Sequence, residues 1–193
     1  MFKFNDLGKK GPKDLITASM ITSADNIISA ESYSLAEIIG AITTGRSICY
    51  TTKGRWSAHD LLAYILKMTG PADVWFTSWS MTPKPIEDVI QMAQSGKILS
   101  LNIVLDRRVR TTAPETIALA NFHKCRIRFS DIHAKIMVIK SPTMSVAVVT
   151  SQNMTRNRRV EAGVILADRD VAEFYRQIIE KLMQDGESFE ITK

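Results

Sequence analysis

The stretch HAKIMVIKSPTMSVAVVTSQN, from His133 to Asn153, is the one around which we expect the rest of the chain to be organised. Two apolar, strand-like runs flank a short turn that contains Ser141-Pro142, and this pattern is typical of an antiparallel hairpin. Polar residues stand at both open ends of the hairpin, spaced two apart. Because strand side chains alternate between the two faces, each polar pair is expected to share one face.

The polar ends of the hairpin are His133 with Lys135, and Ser151 with Asn153. A buried lysine is costly unless it is paired, so the His-Lys pair is a poor core arrangement and a better anion site. A turn over residues 140–144 would place Ile139 opposite Ser145, and therefore His133 opposite Ser151. In that register all four polar residues can donate hydrogen bonds to phosphate oxygens. A polar edge strand, or a serine and asparagine that turn the chain, are the alternatives.

The segments before and after the hairpin alternate between strand and helix patterns. Strands are predicted at residues 46–51, 72–79, 98–106, 124–130 and 160–166, and helices at 34–42, 57–70, 82–96, 113–123 and 168–186. Such alternation favours an α/β fold with a mixed, mostly parallel sheet flanked by helices on both faces. We expect residues 1–30 to form an N-terminal arm or small extra element, 31–186 the main domain, and 187–193 a polar tail.

Composition restricts the class of protein and its partners. The chain is 45% hydrophobic and 23% charged, with a net charge of +5 and a pI near 9.3, which favours an anionic partner. No apolar run is long enough for a membrane helix or a signal peptide, so a cytoplasmic location without membrane partners is expected. Two isolated cysteines and the absence of a carboxylate or His/Cys cluster predict neither a metal site nor a cofactor.

The pattern His133-x-Lys135, followed by a strand, Ser151-x-Asn153 and Glu161, resembles the phospholipase D superfamily. Its signature is written His-x-Lys-x(4)-Asp, followed by Gly-Ser-x-Asn. The resemblance covers roughly residues 35 to 185. Lys140 stands where the signature has aspartate, to which a structural, salt-bridging role is usually ascribed. Thr150 stands where the signature has glycine.

The resemblance implies a chemistry and an oligomeric state. Family members work with two facing motifs, and this chain has one, so it resembles the short bacterial nucleases that pair two chains as a homodimer. His133 is then the nucleophile that forms a phosphohistidine, and the partner's histidine is the general acid. Lys135 and Asn153, with Ser151, hold phosphoryl oxygens, and Glu161 orients His133. A salt bridge from Glu161 to Arg158 or Arg159 is the alternative.

Four further residues are candidates for substrate binding. Arg156 and Arg158 follow the Ser-x-Asn pair, and Trp79 and Ser80 end the strand at 72–79 on the side expected for the site. Tryptophan in a strand is also common in a core. Ser57 with Asp60 has the form of a capping box, which predicts the start of a helix at this point. His59, in the first turn of that helix, is expected to be an exposed or capping histidine.

The leading functional hypothesis is a metal-independent, nuclease-like phosphodiesterase acting on nucleic acid, DNA rather than RNA. A nucleic-acid-binding module of the same fold with impaired catalysis is the first alternative, motivated by Lys140 and Thr150. A phospholipid phosphodiesterase is the second, although no amphipathic surface for a bilayer is visible.

Overall fold

The computed structural model describes residues 18–21, 27–29, 35–123, 125–156 and 158–188. Its strands are β1 (Ala18–Ile21), β2 (Ile27–Ser29), β3 (Ser47–Lys53), β4 (Ala72–Ser78), β5 (Ile98–Asp106), β6 (Arg126–Ser130), β7 (Lys135–Lys140), β8 (Ser145–Thr150) and β9 (Val160–Leu166). Its helices are α1 (Leu35–Ile39), α2 (Ala58–Thr69), α3 (Pro83–Gln94), α4 (Val109–Thr112), α5 (Pro114–Phe122) and α6 (Arg169–Asp185).

The described strands form one mixed sheet in the order β2-β1-β3-β9-β8-β7-β4-β5-β6. The predicted α/β class with a mixed sheet is confirmed, but parallel pairs are not the majority. Among the described strands only β4–β5 and β5–β6 pair in parallel. The reason is that β7, β8 and β9 follow one another without helices, and the three strands insert between β3 and β4 as an antiparallel meander.

The central hairpin is formed by β7 and β8, as predicted, but in a different register. Lys140 pairs with Ser145 and Lys135 pairs with Thr150, so the predicted pairing of Ile139 with Ser145 is wrong by one residue. The turn is one residue shorter than expected, because Lys140 remains in the ladder. Strand side chains alternate with a period of two, so this slip changes which residues face one another across the hairpin.

Helices cover both faces of the sheet, as predicted. The larger core packs α1, α2, α3 and α5 against one face. Its fully buried side chains include Ile39, Leu61, Ile65, Phe76 and Ile86. Helix α6 covers the other face, where its residues pack on strand side chains such as Trp75, Val104 and Val138. Trp75 and Phe76 enter opposite cores because neighbouring strand residues point to opposite faces.

Helix α2 begins with the predicted capping box. The Ser57 backbone N–H and hydroxyl both donate to Asp60 Oδ2, at 2.9 and 2.7 Å. His59 is buried in this turn rather than exposed, so the expectation of an exposed histidine is wrong. Its Nδ1 lies 2.9 Å from Ser57 Oγ and its Nε2 lies 3.4 Å from Asp88 Oδ2. Burial lowers the pKa of His59, which favours the neutral ring.

The chain termini are only partly within the described residues. Of the predicted arm at residues 1–30, β1 and β2 extend the sheet beside β3, and the remainder lies outside the described residues. Of the predicted tail, Glu187 pairs with Phe129 through backbone hydrogen bonds of 2.9 Å, and residues 189–193 lie outside. The boundaries between arm, domain and tail stay a prediction. None of the described helices is long and apolar enough to cross a membrane.

Candidate active site

The ends of several strands meet at one edge of the sheet, which we call the site edge. Strands β4, β5 and β8 end there at Ser78, Asp106 and Thr150, and the oppositely directed β7 and β9 begin there at Lys135 and Val160. In open α/β sheets, ligands bind outside the carboxyl ends of the parallel strands. The five predicted catalytic residues lie at this edge or on the segments next to it.

His133 and Lys135 are in direct contact at the site edge. The Lys135 ammonium nitrogen lies 3.3 Å from Nδ1 and 3.4 Å from Nε2 of the imidazole, and it donates to the His133 carbonyl oxygen at 2.6 Å. The lysine is 8% exposed, whereas the histidine, which precedes β7, is exposed. The structure therefore brings the two side chains together, and their catalytic roles stay a prediction.

Thr77, on the neighbouring strand β4, fixes the backbone around this pair. Its hydroxyl donates to the Ala134 carbonyl oxygen at 2.8 Å and accepts from the Ile136 N–H at 3.1 Å. These two bonds bracket Lys135 and hold the backbone from which its side chain extends.

The charge of Lys135 is set by burial and by two carboxylates. Burial lowers the pKa of the ammonium, and Glu161 and Asp106 oppose the shift by their negative charge. Held against His133 at the site edge, this ammonium is a cation positioned for an anion. Because burial outweighs the two carboxylates, it is easier to deprotonate than an exposed lysine.

Trp79 lies beside the histidine and lysine, as expected for a pocket wall. Its ring meets the His133 ring in an edge contact, with the centroids 5.6 Å apart, and the Lys135 ammonium lies 5.9 Å from the indole centroid. Ser80 is the other predicted wall residue, and its contact with substrate stays a prediction. Its carbonyl oxygen accepts from the Ser78 hydroxyl at 2.6 Å, and its own side chain makes no hydrogen bond with the described residues.

Asn153 is oriented by the loop that follows β4. Its Oδ1 accepts from the Trp79 backbone N–H at 3.1 Å and lies 3.4 Å from the Ser78 hydroxyl oxygen, whose proton is directed at the Ser80 carbonyl oxygen. Because a backbone N–H can only donate, the amide oxygen must face the loop. The Nδ2 group has no hydrogen-bond partner among the described residues, and its two N–H donors remain available for an acceptor such as a phosphoryl oxygen.

Ser151 and Glu161 form a linked pair across β8 and β9. The serine hydroxyl donates to Glu161 Oε2 and accepts from the Ala162 N–H at 3.0 Å. The single proton of Ser151 is therefore directed at the carboxylate, and the predicted hydrogen bond from Ser151 to a phosphate stays a prediction. Ser151 positions Glu161, whose charge acts on Lys135. The predicted hydrogen bond from His133 to Glu161 stays a prediction.

Thr150, at the glycine position of the signature, holds the loop that carries the serine and asparagine. Its hydroxyl accepts from Tyr50 Oη at 2.9 Å and from the Gln152 N–H at 3.1 Å. Gly163 is the cross-strand partner of Thr150, and a Cβ there would lie 2.4 Å from Tyr50 Oη. Gly163, on the neighbouring strand β9, has no side chain and so leaves room for the buried Tyr50.

Lys140, at the aspartate position of the signature, is at the opposite end of β7 from the site edge. Its ammonium lies 3.4 Å from Glu173 Oε2 on α6, and Arg176 binds the same carboxylate with two hydrogen bonds of 2.7 and 2.9 Å. Hydrogen bonds from Arg176 hold the pKa of Glu173 at about 2. Where the signature has an aspartate, this chain has a lysine, and the carboxylate of the ion pair comes from Glu173 instead.

Two residues at the site edge were not predicted from the sequence, Asp106 and Arg108. Asp106 Oδ1 accepts from both the backbone N–H and Nε of Arg108, at 3.1 and 2.8 Å. Burial raises the pKa of Asp106, but these bonds and one from the Ile132 backbone outweigh it and lower the pKa. The guanidinium lies over the Trp79 ring, 4.4 Å from its centroid. The only sequence signal was an Asp-Arg-Arg run after a buried strand.

The predicted substrate-binding arginines lie on the loop between β8 and β9. Arg156 is exposed and lies 3.8 Å from Asp88 on α3. Arg158 is exposed, with no hydrogen bond or ion pair to the described residues. Neither is in the His133 cluster, although both belong to the loop that leaves it.

Together, the mixed sheet and its edge define an α/β protein whose candidate site offers an imidazole, an ammonium and an amide to an anion. At the sequence level neither a protein-family model nor a curated protein matches the chain.

Solved structures with the same fold are found. Nuc from Salmonella typhimurium, described as a phospholipase D family member, matches with a TM-score of 0.52 and 18% identity over 67% of this chain and 90% of that one. NucT from Helicobacter pylori has a TM-score of 0.52 and 11% identity, with 74% and 98% of the two chains covered. Polyphosphate kinase from Porphyromonas gingivalis has a TM-score of 0.54 and 15% identity, covering 76% of this chain but only 27% of the kinase. The chain therefore has the phospholipase D-like fold that the sequence resemblance implied.

Proposed function

We propose that this chain is a metal-independent phosphodiesterase that cleaves nucleic acid, with DNA preferred over RNA, at a site shared by two subunits. The observation that carries the proposal is the contact of His133 with Lys135 at the site edge. The Asn153 amide is held on the backbone of Trp79, whose ring contacts His133, and its Nδ2 group has no hydrogen-bond partner among the described residues. A nucleophile with two phosphate-binding groups is what phosphoryl transfer through a histidine requires. The phospholipase D-like fold supports the same chemistry.

In the first step a neutral His133 attacks the phosphorus of a phosphodiester. A nitrogen–phosphorus bond forms, the bond to one ester oxygen breaks, and the leaving oxygen takes a proton from the partner subunit's His133. Lys135 and Asn153 stabilise the charge on the non-bridging oxygens as it develops. The product of this step is a phosphohistidine and a free alcohol.

In the second step water attacks the phosphohistidine. The partner subunit's His133, now neutral, accepts a proton from the water, and the nitrogen–phosphorus bond breaks. The enzyme returns to its starting state, and the substrate has become a phosphomonoester. The histidine and the surrounding cations supply the nucleophile and the charge neutralisation, so no metal ion takes part in these steps.

Two subunits are required because one chain supplies one such histidine. The cycle needs a nucleophile and a separate proton donor at the same phosphorus, and this sequence has a single His-x-Lys motif. A two-fold axis near the site edge would bring two copies of His133 to opposite sides of one phosphate.

The charge around the site edge favours a polyanionic substrate. Strand β3 ends at this edge with the exposed Lys53, followed by the exposed Arg55. Arg156 and Arg158 are exposed on the loop after β8. Exposed cations beside the site would bind phosphates of a nucleic-acid backbone, with an affinity that falls as salt is added.

Incubation of the purified protein with DNA and with RNA in EDTA tests the proposal. We expect cleavage that persists in EDTA and is lost in His133→Ala. His123→Ala is the matched control, because His123 ends α5 beside Gln94 and is outside the site. No cleavage by the parent would contradict a phosphodiesterase, and equal cleavage by His133→Ala would contradict a mechanism through this histidine. Salt-sensitive binding without turnover would instead support the binding module motivated by Lys140 and Thr150.

A further inference from the structure

From the arrangement of Arg108, Asp106 and Trp79 we infer that Arg108 binds a second phosphate group of the substrate, next to the one that is cleaved. The inference rests on the proposed function and narrows it. It assigns the site to a polynucleotide strand, which carries successive phosphates, rather than to a substrate with a single phosphodiester.

Arg108 is held in a defined position although it lies on the surface. Its backbone N–H and Nε bind Asp106 Oδ1, and its guanidinium carbon lies 4.4 Å from the centroid of the Trp79 ring. A guanidinium that is fixed by a carboxylate and stacked on an aromatic ring loses less freedom when it binds a ligand. The side chain is nevertheless 62% exposed, and its two Nη groups have no hydrogen-bond partner among the described residues.

Arg108 is connected to the site through two routes. The Trp79 ring that it covers also contacts His133, with centroids 5.6 Å apart. Asp106, which binds Arg108, accepts a hydrogen bond from the Ile132 backbone, directly before the histidine, and its charge acts on Lys135. Arg108 is thus a neighbour of the catalytic groups, held by the same two residues that border them.

The position favours a neighbouring phosphate over the scissile one. His133 and Lys135 contact each other directly, whereas Arg108 is linked to them through the indole ring of Trp79 and through Asp106. Its guanidinium binds Asp106 and lies on the Trp79 ring, and it makes no contact with His133 or Lys135 in the described part of the chain. A cation displaced from the nucleophile by one aromatic ring fits the next anionic group along a strand.

The adjacent Arg107 provides a matched control. It is also exposed, but it pairs with Asp131 at 3.0 Å and with Glu187 at 3.2 Å. Arg107→Ala and Arg108→Ala remove the same charge from consecutive positions of one loop. A difference between the two variants therefore reports position and not net charge.

The test compares kcat/KM for a DNA oligonucleotide with kcat/KM for bis(4-nitrophenyl) phosphate, which has one phosphate. We expect Arg108→Ala to lower the ratio of the two values about ten-fold, as for the loss of one charge-assisted hydrogen bond. Arg107→Ala should leave the ratio within about two-fold. An equal loss on both substrates would place Arg108 at the scissile phosphate and overturn the inference, as would no loss on either.

Binding separates this inference from the proposed function. Oligonucleotide affinity is measured against salt concentration in EDTA for the parent and both variants. We expect the logarithmic salt slope to decrease by about one in Arg108→Ala and to be unchanged in Arg107→Ala. If the parent binds without cleaving, the proposed activity fails while the slopes still decide the role of Arg108. Equal slopes in all three proteins, or no binding by the parent, would overturn the inference.

Discussion

Lys135 and Lys140 stand at the two ends of strand β7, and their surroundings differ. At the site edge Lys135 is 8% exposed, contacts both ring nitrogens of His133, and has its pKa lowered by burial. At the far edge Lys140 is exposed and reaches Glu173 at 3.4 Å. Two identical side chains on one strand therefore differ in exposure, in their partners and in their electrostatic surroundings.

The far end of β7 is also where the sequence departs from the family signature. The signature aspartate, to which the family resemblance assigns a salt-bridging role, is replaced by Lys140, and Lys140 also makes a salt bridge, with the charges reversed. The change lies at the edge of the sheet away from His133. It alters a surface contact and leaves the groups at the site edge as they are, so we expect it to be compatible with activity.

The largest expected effect comes from exchanging the two lysines for methionine one at a time. In Lys135→Met we expect kcat to fall about 10²–10³-fold, because a preorganised cation at the phosphoryl oxygens is lost. Lys140→Met should leave kcat within about two-fold, because that lysine is a surface ion-pair partner. Steady-state kinetics on one phosphodiester substrate measures both. Equal losses in the two variants would remove the distinction between the strand ends.

A smaller effect is expected at Gly163, which supports the site end of the hairpin from β9. A Cβ there would lie 2.4 Å from Tyr50 Oη, so Gly163→Ala should lower the free energy of unfolding by about 1–3 kcal/mol. Ala162→Ser, at the exposed neighbouring position, should change it by no more than about 0.5 kcal/mol. Urea unfolding measures both, and a neutral Gly163→Ala would show that Tyr50 moves aside without cost.

The pH dependence distinguishes the buried lysine from an ordinary one. Burial lowers the pKa of Lys135. Activity that needs its charge should therefore be lost as the pH is raised, with a midpoint below about 10.4, the value for an exposed lysine. Lys135→Arg should move this alkaline limb upward, since arginine stays protonated. At a pH between the lowered pKa and the ordinary one, Lys135 is protonated more fully in the unfolded chain than in the folded one. Its contribution to the free energy of unfolding therefore rises with pH in this range. An alkaline limb that does not move in Lys135→Arg would assign it to another group.

The smallest expected effect is at the far end of β7. A double-mutant cycle with Lys140→Ala and Glu173→Ala should give a coupling energy of about 0.2–1 kcal/mol, as for other exposed ion pairs. Glu173→Ala alone should cost more than Lys140→Ala, because the same carboxylate binds Arg176. Thermal unfolding at low salt measures the cycle. A coupling energy above about 2 kcal/mol would mean that this end is more than a surface contact.

Much of the fold could be predicted because hydrophobic periodicity and helix signals are local. The α/β class, the central hairpin, and the capping box of Ser57 and Asp60 were all visible in short windows. The proportion of parallel strand pairs in the sheet could not be predicted, because packing between distant segments decides the strand order. The sequence gives no local sign that β7, β8 and β9 insert between β3 and β4.

The candidate site was predictable to the extent that its residues belong to a spaced motif. His133 and Lys135 meet as expected, since residues two apart on extended chain share a face. Asp106 and Arg108 were missed because their link to the site is a tertiary contact through Trp79. The hairpin register was wrong by one residue because turn length, which sets register, depends on contacts that the turn sequence alone does not fix.

The shared site is tested most directly by mixing subunits. The parent and His133→Ala are unfolded together at a fixed total concentration, refolded in different proportions, and assayed for cleavage in EDTA. If each site needs a histidine from both chains, activity follows the square of the parent fraction, and an equal mixture keeps about a quarter of it. Activity proportional to the parent fraction, with about half remaining in the equal mixture, would show that each chain works alone and would contradict a site shared by two subunits.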